Sequence, residues 1–561
     1  MANGTNNTTK RNRTLRITLY SLGIILLTGL IATWILSSYL APYLKREFTQ
    51  KVHEGSDGLY KLDMKDLDVT LATGTIQILD LKLSTDPNIL KKLQAQDSLP
   101  ENIIEVNSQN LRLSGIGIMD LLFSKKLDIS SISMDSLNLV LHQHKTNNQK
   151  KEKTGTAYGL IKKQLKSLQI GKIGLKKANL TIKHDGKDLA VKKIDLHLQD
   201  ILIDEKSEQD PTRVLFAKNI QIALPEFDFE IPNSPYKLSL KDLQLNAKDS
   251  LLTMKDLLIR PMVSRTTFAK NDKENKAMIE LKLGDITMSG LQLRRFMDDK
   301  KIRAKNLQLE NGNIDLSKDK RYQEEDVSKI GENPAQQIMS FDQRIIIDRV
   351  DLKGIRLSYT EKSKKYDRDG NVHFNQIQGS IRNVNNDTLS LLKNGHMEAD
   401  LQGYAMGKGL LKAYFNFDML SRNGRYSYKG SLGEMQAPAY NKILAPLLNI
   451  EINSGRIRRI KFDIHGDDIN SAGTFHFDYD HLKLNILKDP DSGKKGKKGF
   501  LSLLANTFLI NDSNPDANEN YTVAQIYYTR TPEHPYFKVV WKTLLQGIIE
   551  CTGTNPDILP L

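Results

Sequence analysis

The sequence has a single cysteine, Cys551, among its 561 residues. One cysteine excludes an intramolecular disulfide, a thiolate zinc site and an iron–sulfur cluster built by this chain alone. Because many exported proteins lack disulfides, the count leaves the compartment open. The Gly-x-Ser-x-Gly and His-Glu-x-x-His motifs of hydrolases and metalloproteases are also missing. We therefore expect no enzymatic activity and no cofactor.

Few segments resemble a metal or nucleotide site. A strand over residues 476–481 would place His476, Asp478 and Asp480 on one face, which is either a metal site or, as we favour, an exposed polar face. Residues 367–370 lack the ligand spacing of a calcium loop and are better interpreted as a hairpin turn. The glycine-rich residues 403–409 lack the spacing of a phosphate-binding loop. The sequence therefore predicts no metal ligand.

The chain is basic, with 81 Lys and Arg against 67 Asp and Glu and a formal charge of +14. Basic chains often bind nucleic acid or anionic membranes. Here the lysines alternate with Leu and Ile along successive strands instead of gathering with aromatic residues on one element. This distribution indicates the solvated outer face of a sheet, and we expect no nucleic-acid partner.

A long uncharged segment lies near the N-terminus. The 28 residues 17–44 contain no charge and follow Lys10, Arg11, Arg13 and Arg16. About 20 apolar residues cross a bilayer, and positive charges favour the cytoplasmic side. A cleaved signal peptide is the alternative, but it needs a shorter apolar core and a cleavage site close behind it. We expect a single-pass anchor with a cytoplasmic N-terminus and the bulk of the chain outside the cytoplasm.

The most regular feature is a pair of apolar residues at strand spacing, followed after a two-residue gap by a second pair. Alternation at period two marks a strand with one apolar face, and a gap of three residues reverses the face unless a bulge or bend absorbs the extra residue. The sequence therefore predicts a repetitive sheet, bent at intervals, with one apolar face. The six instances are Ile76-x-Ile78 with Leu81-x-Leu83, Ile116-x-Ile118 with Leu121, Leu175 with Ala178-x-Leu180-x-Ile182, Leu238-x-Leu240 with Leu243-x-Leu245, Val350-x-Leu352 with Ile355-x-Leu357, and Ile457 with Ile460-x-Phe462-x-Ile464.

A short phrase of Lys, then Asp or Asn, then Leu-x-Leu recurs at irregular spacing up to about residue 384, which favours stacked units that share one core. Helical patterns are few and short, at residues 87–99, 158–168, 444–448, 500–510 and 536–551. The predicted fold is mainly β: a transmembrane helix, then an elongated, curled β-sheet forming a groove, with a few amphipathic helices. The predicted regions are 1–16 (cytoplasmic), 17–44 (anchor), 45–429 (repetitive groove) and 430–561 (C-terminal region).

Both ends of the chain carry recognisable motifs. At the front, the uncharged segment is followed by Gly74-x-Ile76-x-Ile78-x-Asp80-Leu81-x-Leu83. At the back are Leu447-Leu448-Asn449-Ile450-x-Ile452-x-Ser454-Gly455-x-Ile457, Ala472-Gly473-x-x-x-Phe477-x-Tyr479-x-x-Leu482-x-Leu484 and Phe537-x-x-x-Trp541-Lys542-x-Leu544-x-x-Gly547-Ile548. With these motifs the chain resembles the AsmA-like family, the AsmA/TamB-type repeating β-groove proteins of the bacterial envelope. The resemblance implies an inner-membrane anchor, a periplasmic groove, handling of phospholipid between the two membranes, and no catalytic residue.

The residues alone lead to a similar expectation. A sheet with one apolar face must be covered by helices, closed on itself, or left open for a ligand, and this chain has few helices to cover it. We expect a groove that holds the acyl chains of phospholipid, with the inner membrane, and the outer membrane or its proteins, as further partners. The alternative is a non-enzymatic scaffold or assembly factor for outer-membrane β-barrel proteins. Candidate groove residues are Ile76, Ile78, Leu81, Leu83, Leu180, Ile182, Leu238, Leu240, Leu243, Leu245, Leu307, Leu309, Leu352, Ile355, Leu357, Ile460 and Phe462; candidate membrane-surface residues are Lys494, Lys495, Lys497, Lys498 and Trp541.

Overall fold

The computed structural model describes residues 36–554, apart from 97, 101, 118–119, 121–122, 145–156, 185–186, 208, 275, 323–326 and 488–509. The described chain is mainly β, as predicted, and forms two compact units. The first unit contains the described residues up to Phe227 together with Gln244–Lys248. The second contains Asp228–Leu243 and the described residues from Asp249 onward. The boundary predicted near residue 430 lies inside the second unit.

The strands are long, and several exceed 15 residues. In chain order they are β1 (Tyr60–Asp63), β2 (Asp66–Thr70), β3 (Thr75–Thr85), β4 (Asn102–Ile116), β5 (Lys126–Asp135), β6 (Asn138–Gln143), β7 (Ser167–His184), β8 (Lys187–Ile203), β9 (Asn219–Glu230), β10 (Tyr236–Asn246), β11 (Leu251–Pro261), β12 (Met278–Ser289), β13 (Lys301–Asp319), β14 (Arg344–Lys362), β15 (Asp369–Asn385), β16 (His396–Ala405), β17 (Gly409–Asp418), β18 (Tyr426–Leu432), β19 (Met435–Gln436), β20 (Ile450–Gly466), β21 (Asn470–Ile486) and β22 (Val523–Thr529).

The helices are short, apart from the first and the last. They are α1 (residues 36–55), α2 (Pro87–Ala95), α3 (Ala157–Ile161), α4 (Arg265–Asn271), α5 (Leu293–Asp299), α6 (Pro334–Met339), α7 (Thr388–Leu391), α8 (Asn441–Leu448) and α9 (Tyr536–Thr552). The predicted helices at 87–99, 444–448 and 536–551 are confirmed as α2, α8 and α9. The helix predicted at 158–168 is shorter, because Ser167 already pairs with Lys126 at the start of β7. The helix predicted at 500–510 lies, except for its last residue, outside the described residues.

In the first unit, β3 pairs with both β1 and β2 and, along its other edge, with β4. Strands β5 and β6 lie end to end, since both pair with β4 and both pair in parallel with β7. Strands β8 and β9 follow as antiparallel neighbours. The sheet of this unit is therefore mixed.

In the second unit, β11 to β18 pair in sequence order, then β18 pairs with β20, β20 with β21, and β21 with β22. All of these pairs are antiparallel except β13 with β14, which are parallel. The connection between these two strands contains α6, as a parallel pair requires a crossover. Asn333 and Gln336 form a capping box at the N-terminus of α6, and this box sets the residue at which the helix of the crossover begins.

The predicted bends in the strands are present, apart from the one after Ile116, which lies partly outside the described residues, and several bends line up across the strands of a sheet. On β13 and β14, Asn311 and Gly354 lie opposite each other, both at positive φ and both left out of the pairing, while Glu310 still pairs with Lys353 and Gly312 with Ile355. We call such an aligned set a kink line. The line in the second unit contains Asp256, Gly284, Asn311 and Gly354, and one in the first unit contains Gly115, Ser130, Gly171 and Asp200.

Three instances of the recurring Lys-Asp-Leu phrase coincide with kinks in the strands. Asp80, Asp242 and Asp256 all have positive φ inside strands. Among residues with a Cβ, Asp and Asn tolerate this left-handed conformation best, because their short polar side chains hydrogen-bond locally. At these three positions the phrase therefore places a residue suited to a kink between two apolar pairs.

The C-terminal part of the second unit has a closed hydrophobic core. Helix α9 covers β21 and β22, and its Tyr536 packs against Phe417 and Tyr426. A Cβ at Gly547 would lie 2.5 Å from the ring of Phe475, so only glycine allows the helix to approach this closely. Helices α6, α7 and α8 contribute further apolar residues to the same core.

Helix α1 covers one end of the sheet in the first unit. Its Ala41, Leu44 and Phe48 pack against a cluster that includes Leu67 and Ile78. The predicted anchor, residues 17–44, lies outside the described residues except for its last nine, which belong to α1. Within the described part of the chain, no helix combines the length and the apolar character that a membrane crossing needs.

Candidate functional site

The second unit presents an apolar face built from rows of cross-strand partners. In each row, residues of β11 to β15 lie at the same register position, so their side chains emerge on the same side of the sheet. The kink line keeps the rows on one face, since Leu352 and Ile355 belong to one apolar cluster despite their spacing of three. The rows are Leu252, Met288, Leu307, Val350 and Ile381; Met254, Ile286, Leu309 and Leu352; Leu257, Leu283, Gly312, Ile355 and Ile377; Ile259, Leu281, Ile314, Leu357 and Phe374; and Ile279, Leu316, Tyr359 and Val372.

This face, named here the five-row face, lacks a helical cover at its centre. Among the described residues, the cluster around Leu283, Ile286 and Ile355 draws its members from strands alone. Most of its other members, such as Leu281 and Leu309, remain partly exposed. Apolar surface left in water costs roughly 25 cal/mol per Å², so an apolar occupant of this face would be stabilised.

The five-row face ends at a charged pair. Lys318 and Glu361 form the next row beyond Leu316 and Tyr359, and they lie on the same side of the sheet. Lys318 is buried, at 7% exposure. Glu361 accepts a hydrogen bond from the Tyr359 hydroxyl. It also forms an ion pair with Lys320, with 2.8 Å between Nζ of Lys320 and Oε1 of Glu361. Two lysines therefore meet one carboxylate at the end of the apolar rows.

Helix α9 adds two more lysines to this pair. Burial and the neighbouring Lys320 ammonium lower the pKa of Lys538 to about 8, and they also lower the pKa of Lys542. The same two causes lower the pKa of Lys318 to about 8. Glu361 opposes the shift at Lys318 and Lys538. Lys320 thus acts electrostatically on the other three lysines, and we call the four residues the lysine cluster.

The first unit has a comparable apolar face. Its rows run across β3 to β9 and use the residues on both sides of the kinks. Helix α1 covers the end of this face near Ile78. The rows are Ile116, Ile129, Ile170 and Ile201; Ile76, Leu113, Ile132, Ile173, Leu198 and Ile220; Ile78, Leu111, Met134, Leu175, Leu196 and Ile222; Leu83, Val106, Leu139, Leu180 and Val191; and Ile104, Leu141, Ile182 and Leu189.

Most of the predicted groove residues belong to these rows. In the first unit, Ile76, Ile78, Leu83, Leu180 and Ile182 are row members, and Leu81 packs beside them in the cluster under α1. In the second unit, the row members are Leu307, Leu309, Leu352, Ile355 and Leu357. The structure therefore brings the candidates together within each unit.

The remaining candidates have different surroundings. Ile460 and Phe462 are buried in the closed core beneath α9, where Phe477 and Phe475 lie opposite them. Trp541 is partly exposed on α9, one turn after the exposed Phe537. Leu238, Leu240, Leu243 and Leu245 all lie on β10, where Leu240 is buried and the others are partly exposed. Lys494, Lys495, Lys497 and Lys498 lie outside the described residues.

The possible metal site on β21 is occupied by arginine contacts. Asp478 accepts hydrogen bonds from Arg459 and Tyr521, and Asp480 forms an ion pair with Arg458. Across the described ranges, no group of three His, Cys, Asp or Glu side chains is arranged to hold a metal ion. Of the residues predicted as a hairpin turn at 367–370, the first two lie in the loop that joins β14 to β15, and Asp369 and Gly370 begin β15.

Sequence reasoning missed the lysine cluster. Lys318 and Lys320 follow Leu316 at strand spacing, so their place on the apolar face could have been predicted from the alternation alone. Lys538 and Lys542 come from a helix far away in the sequence, and no local pattern relates them to β13. Their one local signal is the four-residue spacing, which puts them on one side of α9.

No family model, curated protein or solved structure matches this chain. Membership of the AsmA-like family therefore stays a prediction from the sequence. The argument for function rests on the two apolar faces and the lysine cluster.

Proposed function

We propose that this protein is anchored in a bacterial inner membrane and holds or conducts phospholipid on the apolar face of a curled, periplasmic β-sheet. In this proposal it supports lipid homeostasis of the outer membrane and catalyses no reaction. The observation that carries the proposal is the five-row face, whose central apolar residues have no helical cover.

Physical chemistry supports an alkyl-chain occupant of this face. Each methylene moved from water onto apolar surface gains about 0.8 kcal/mol. On β13 the five rows run from Leu307 to Leu316, so together they extend over roughly 30 Å in the direction of the strands. A single leaflet contributes about 15 Å of hydrocarbon, so a whole acyl chain fits when it lies parallel to the strands, across the rows. The opposite face is polar: the neighbours of Leu309 on β13, Gln308 and Glu310, hydrogen-bond to each other there.

The proposed anchor and location rest on the uncharged residues 17–44 and the four basic residues before them. The resemblance to AsmA-like proteins supports the same location and the same class of cargo. The groove shape is part of the proposal, and the kink lines support it because residues at kinks bend strands locally.

The test compares the phospholipid that copurifies with the full chain and with two variants. The protein is extracted in detergent and exchanged into a lipid-free amphipathic polymer, and bound phospholipid per protein is measured by mass spectrometry. Leu309→Glu places a charge between Ile286 and Leu352 on the apolar face. We expect this variant to lose the bound lipid, because a carboxylate on an apolar surface repels acyl chains.

Asn313→Glu is the matched control on the same strand. Asn313 is exposed on the polar face, between Lys282 and Arg356, so a new carboxylate there meets two cations. Its lipid content should equal that of the wild type. An unmodified chain that is folded but free of lipid, or two variants with equal lipid content, would contradict the proposal and favour the scaffold for outer-membrane β-barrel proteins.

A further inference from the structure

Four large apolar side chains are exposed at one end of the strands in the second unit. Phe341 precedes β14, Leu389 and Leu392 lie between β15 and β16, and Leu420 follows β17. Because β14 to β17 pair antiparallel, their connections alternate between the two ends of the sheet, and these loops lie at the same end. Leu389 and Leu392 are 75% and 71% exposed, and Phe341 and Leu420 are also exposed. We call these four residues the end patch.

Hydrogen bonds and close contacts join the loops that carry the end patch. The side chain of Asn386 is fully buried and donates to the carbonyl oxygen of Phe341, with 3.1 Å between Nδ2 and O. The backbone N–H of Met419 donates to the carbonyl oxygen of Gly395, with 2.8 Å between N and O. A Cβ at Gly395 would also lie 3.5 Å from Cδ1 of Leu420. The loops are therefore tied to one another, and the end patch occupies one region of the surface.

Helix α7 directs its two exposed leucines away from the core. Asp387 caps the helix by accepting from the N–H of Ser390, with 3.0 Å between Oδ1 and N. Leu391 is buried in the closed core, whereas Leu389 and Leu392, three residues apart, share another side of the helix. The helix cannot bury these two leucines without exposing Leu391. Since apolar surface in water is unfavourable, an apolar environment around them would stabilise this arrangement.

The loops around the end patch carry an excess of positive charge. The side chain of Gln343 donates to the carbonyl oxygen of Lys300, which adds α5 and the residues after it to this region. These loops contain eight Lys and Arg against five Asp, counted over residues 293–301, 341–344, 387–395 and 418–425. The cations include the exposed Lys300, Lys393 and Arg422. Four of the carboxylates already pair with cations of the same loops, namely Asp298 with Arg294, Asp299 with Arg295, Asp387 with Lys301, and Asp418 with Arg425. The surroundings are therefore complementary to a negatively charged surface.

We propose that the end patch inserts into the surface of an anionic phospholipid bilayer. Leu389 and Leu392 lie below the headgroups, and the surrounding lysines and arginines contact the phosphates. Apolar side chains flanked by cations are typical of segments that bind at the boundary between headgroups and acyl chains. A fluid bilayer fits side chains that project from the ends of loops, whereas a protein partner would need a matching cavity. This contact goes beyond the proposed function, because it holds whether or not the rows bind lipid.

The experiment locates a nitroxide on the end patch by electron paramagnetic resonance. Leu389→Cys is labelled in the full chain, where the native Cys551 is buried and stays unlabelled. The labelled chain is reconstituted into vesicles of phosphatidylcholine and phosphatidylglycerol and mixed with excess empty vesicles, so that the end patch can reach its own bilayer or another. Oxygen concentrates in the bilayer, whereas a nickel chelate stays in water. We expect the nitroxide to be accessible to oxygen and shielded from the chelate.

Asn313→Cys is the control for the labelled site. Asn313 is exposed on the polar face of β13, so its nitroxide should stay accessible to the chelate. Equal access of the chelate to the nitroxides at positions 389 and 313 would overturn the inference.

Two substitutions in the labelled chain test the apolar and the charged part of the contact. Leu392→Ser should lower the ratio of inserted to free nitroxide about tenfold, because a buried leucine is lost. Lys393→Gln should lower it about fivefold, the effect of one cation at an anionic surface, and should have no effect in vesicles of phosphatidylcholine alone. Tyr527→Ser and Lys282→Gln remove an exposed ring and an exposed lysine elsewhere and should keep the original ratio. An unchanged ratio in both end-patch substitutions would reject the contact.

The two proposals can fail separately. Loss of copurifying lipid in Leu309→Glu, with the nitroxide at position 389 open to the chelate, would sustain the lipid-holding function and reject the membrane contact. An inserted nitroxide, with normal lipid content in Leu309→Glu, would sustain the contact and reject the proposed function. Leu392 and Lys393 are exposed, so their substitutions should leave the melting temperature unchanged, and misfolding would not explain a loss of insertion.

Discussion

Lys318 and Glu361 lie opposite each other on the parallel strands β13 and β14, one row beyond the apolar pair Leu316 and Tyr359. The register of β13 and β14 is the same from Lys301 and Arg344 to Asp319 and Lys362, so these two side chains, two residues further along each strand, share a face with the apolar residues that precede them. The relationship places an ionic pair at the end of an otherwise apolar surface. The chemistry of that surface thus changes from apolar to charged within a single row.

The lysine cluster makes stability depend on pH in a defined direction. Burial and Lys320 lower the pKa of Lys318 and Lys538 to about 8, whereas the usual value is 10.5. Between pH 8 and pH 10.5 the unfolded chain therefore binds more protons than the folded chain, and the free energy of unfolding should rise with pH. Denaturant unfolding at pH 7.5 and pH 9.5 measures this rise.

The double variant Lys318→Met, Lys538→Met is the control for that measurement. It lacks both groups with a lowered pKa, so its free energy of unfolding should rise less over the same pH interval. An equal rise in the variant and the wild type would assign the effect to other groups.

We expect that adding a methyl group at a glycine of a kink line destabilises the fold. Gly171 lies in the kink line of the first unit, and a Cβ there would stand 2.6 Å from the carbonyl oxygen of Ser130. Gly171→Ala should lower the free energy of unfolding by about 1–3 kcal/mol, the usual cost of overpacking. Gly174→Ala on the same strand meets its nearest atom, Nδ1 of His197, at 3.5 Å and should change stability little. Equal effects of the two substitutions in chemical denaturation would contradict the steric argument.

A buried ion pair ties the loop after β22 to the turn between β20 and β21. Arg530 and Asp468 are both nearly inaccessible, with 3.5 Å between Nη1 and Oδ1, and Arg530 also donates to the carbonyl oxygens of His534 and Lys329. Arg530→Met leaves the Asp468 carboxylate buried without its cation, which should cost about 3–5 kcal/mol.

Arg459→Met is the comparison for this substitution. Arg459 is half exposed in its pair with Asp478, whose carboxylate keeps the hydrogen bond from Tyr521 when Arg459 is removed, and a pair open to solvent on one side should contribute about 0–1 kcal/mol. The difference between the two variants is read from urea unfolding. Near-equal losses would show that the interior pair contributes no more than the surface pair.

Helix α1 should be held on the first unit by Phe48. Phe48 packs against the cluster of Leu67 and Ile78, so Phe48→Ala should weaken the docking of α1 by about 1–3 kcal/mol. Faster hydrogen exchange over residues 36–55, with unchanged exchange in β11 to β15, is the expected result. Tyr43→Ala removes an exposed ring from the same helix and should leave the exchange rates as they are. Similar exchange in the two variants would mean that Phe48 does not hold the helix.

The sequence predicts the parts of this fold that depend on residues close to one another along the chain. The spacing of Leu352 and Ile355 predicts a bend, and the structure has one at Gly354, because the period of two is a local property of any strand. Helix α9 is predicted from its pattern to within one residue. The neighbours of a residue across the sheet have no such local signature. Ile460 and Phe462 have the same pattern as Leu307 and Leu309, yet the first pair belongs to a core that several helices help to close, whereas the described members of the second pair's cluster come from strands alone.

Aligned kinks make the length of these sheets a collective property. One residue inserted between two kinks of a single strand would carry its kink past Asn311 or Gly354 and turn its apolar residues outward. Two residues inserted in that strand alone would keep the faces and still misalign the kink. The sheet can therefore become longer only when neighbouring strands gain the same pair of residues together, whereas it can become wider one strand at a time. Evolutionary insertions and deletions in such a protein should therefore change the number of strands and the length of the loops. They should seldom change the number of residues between two kinks of a strand.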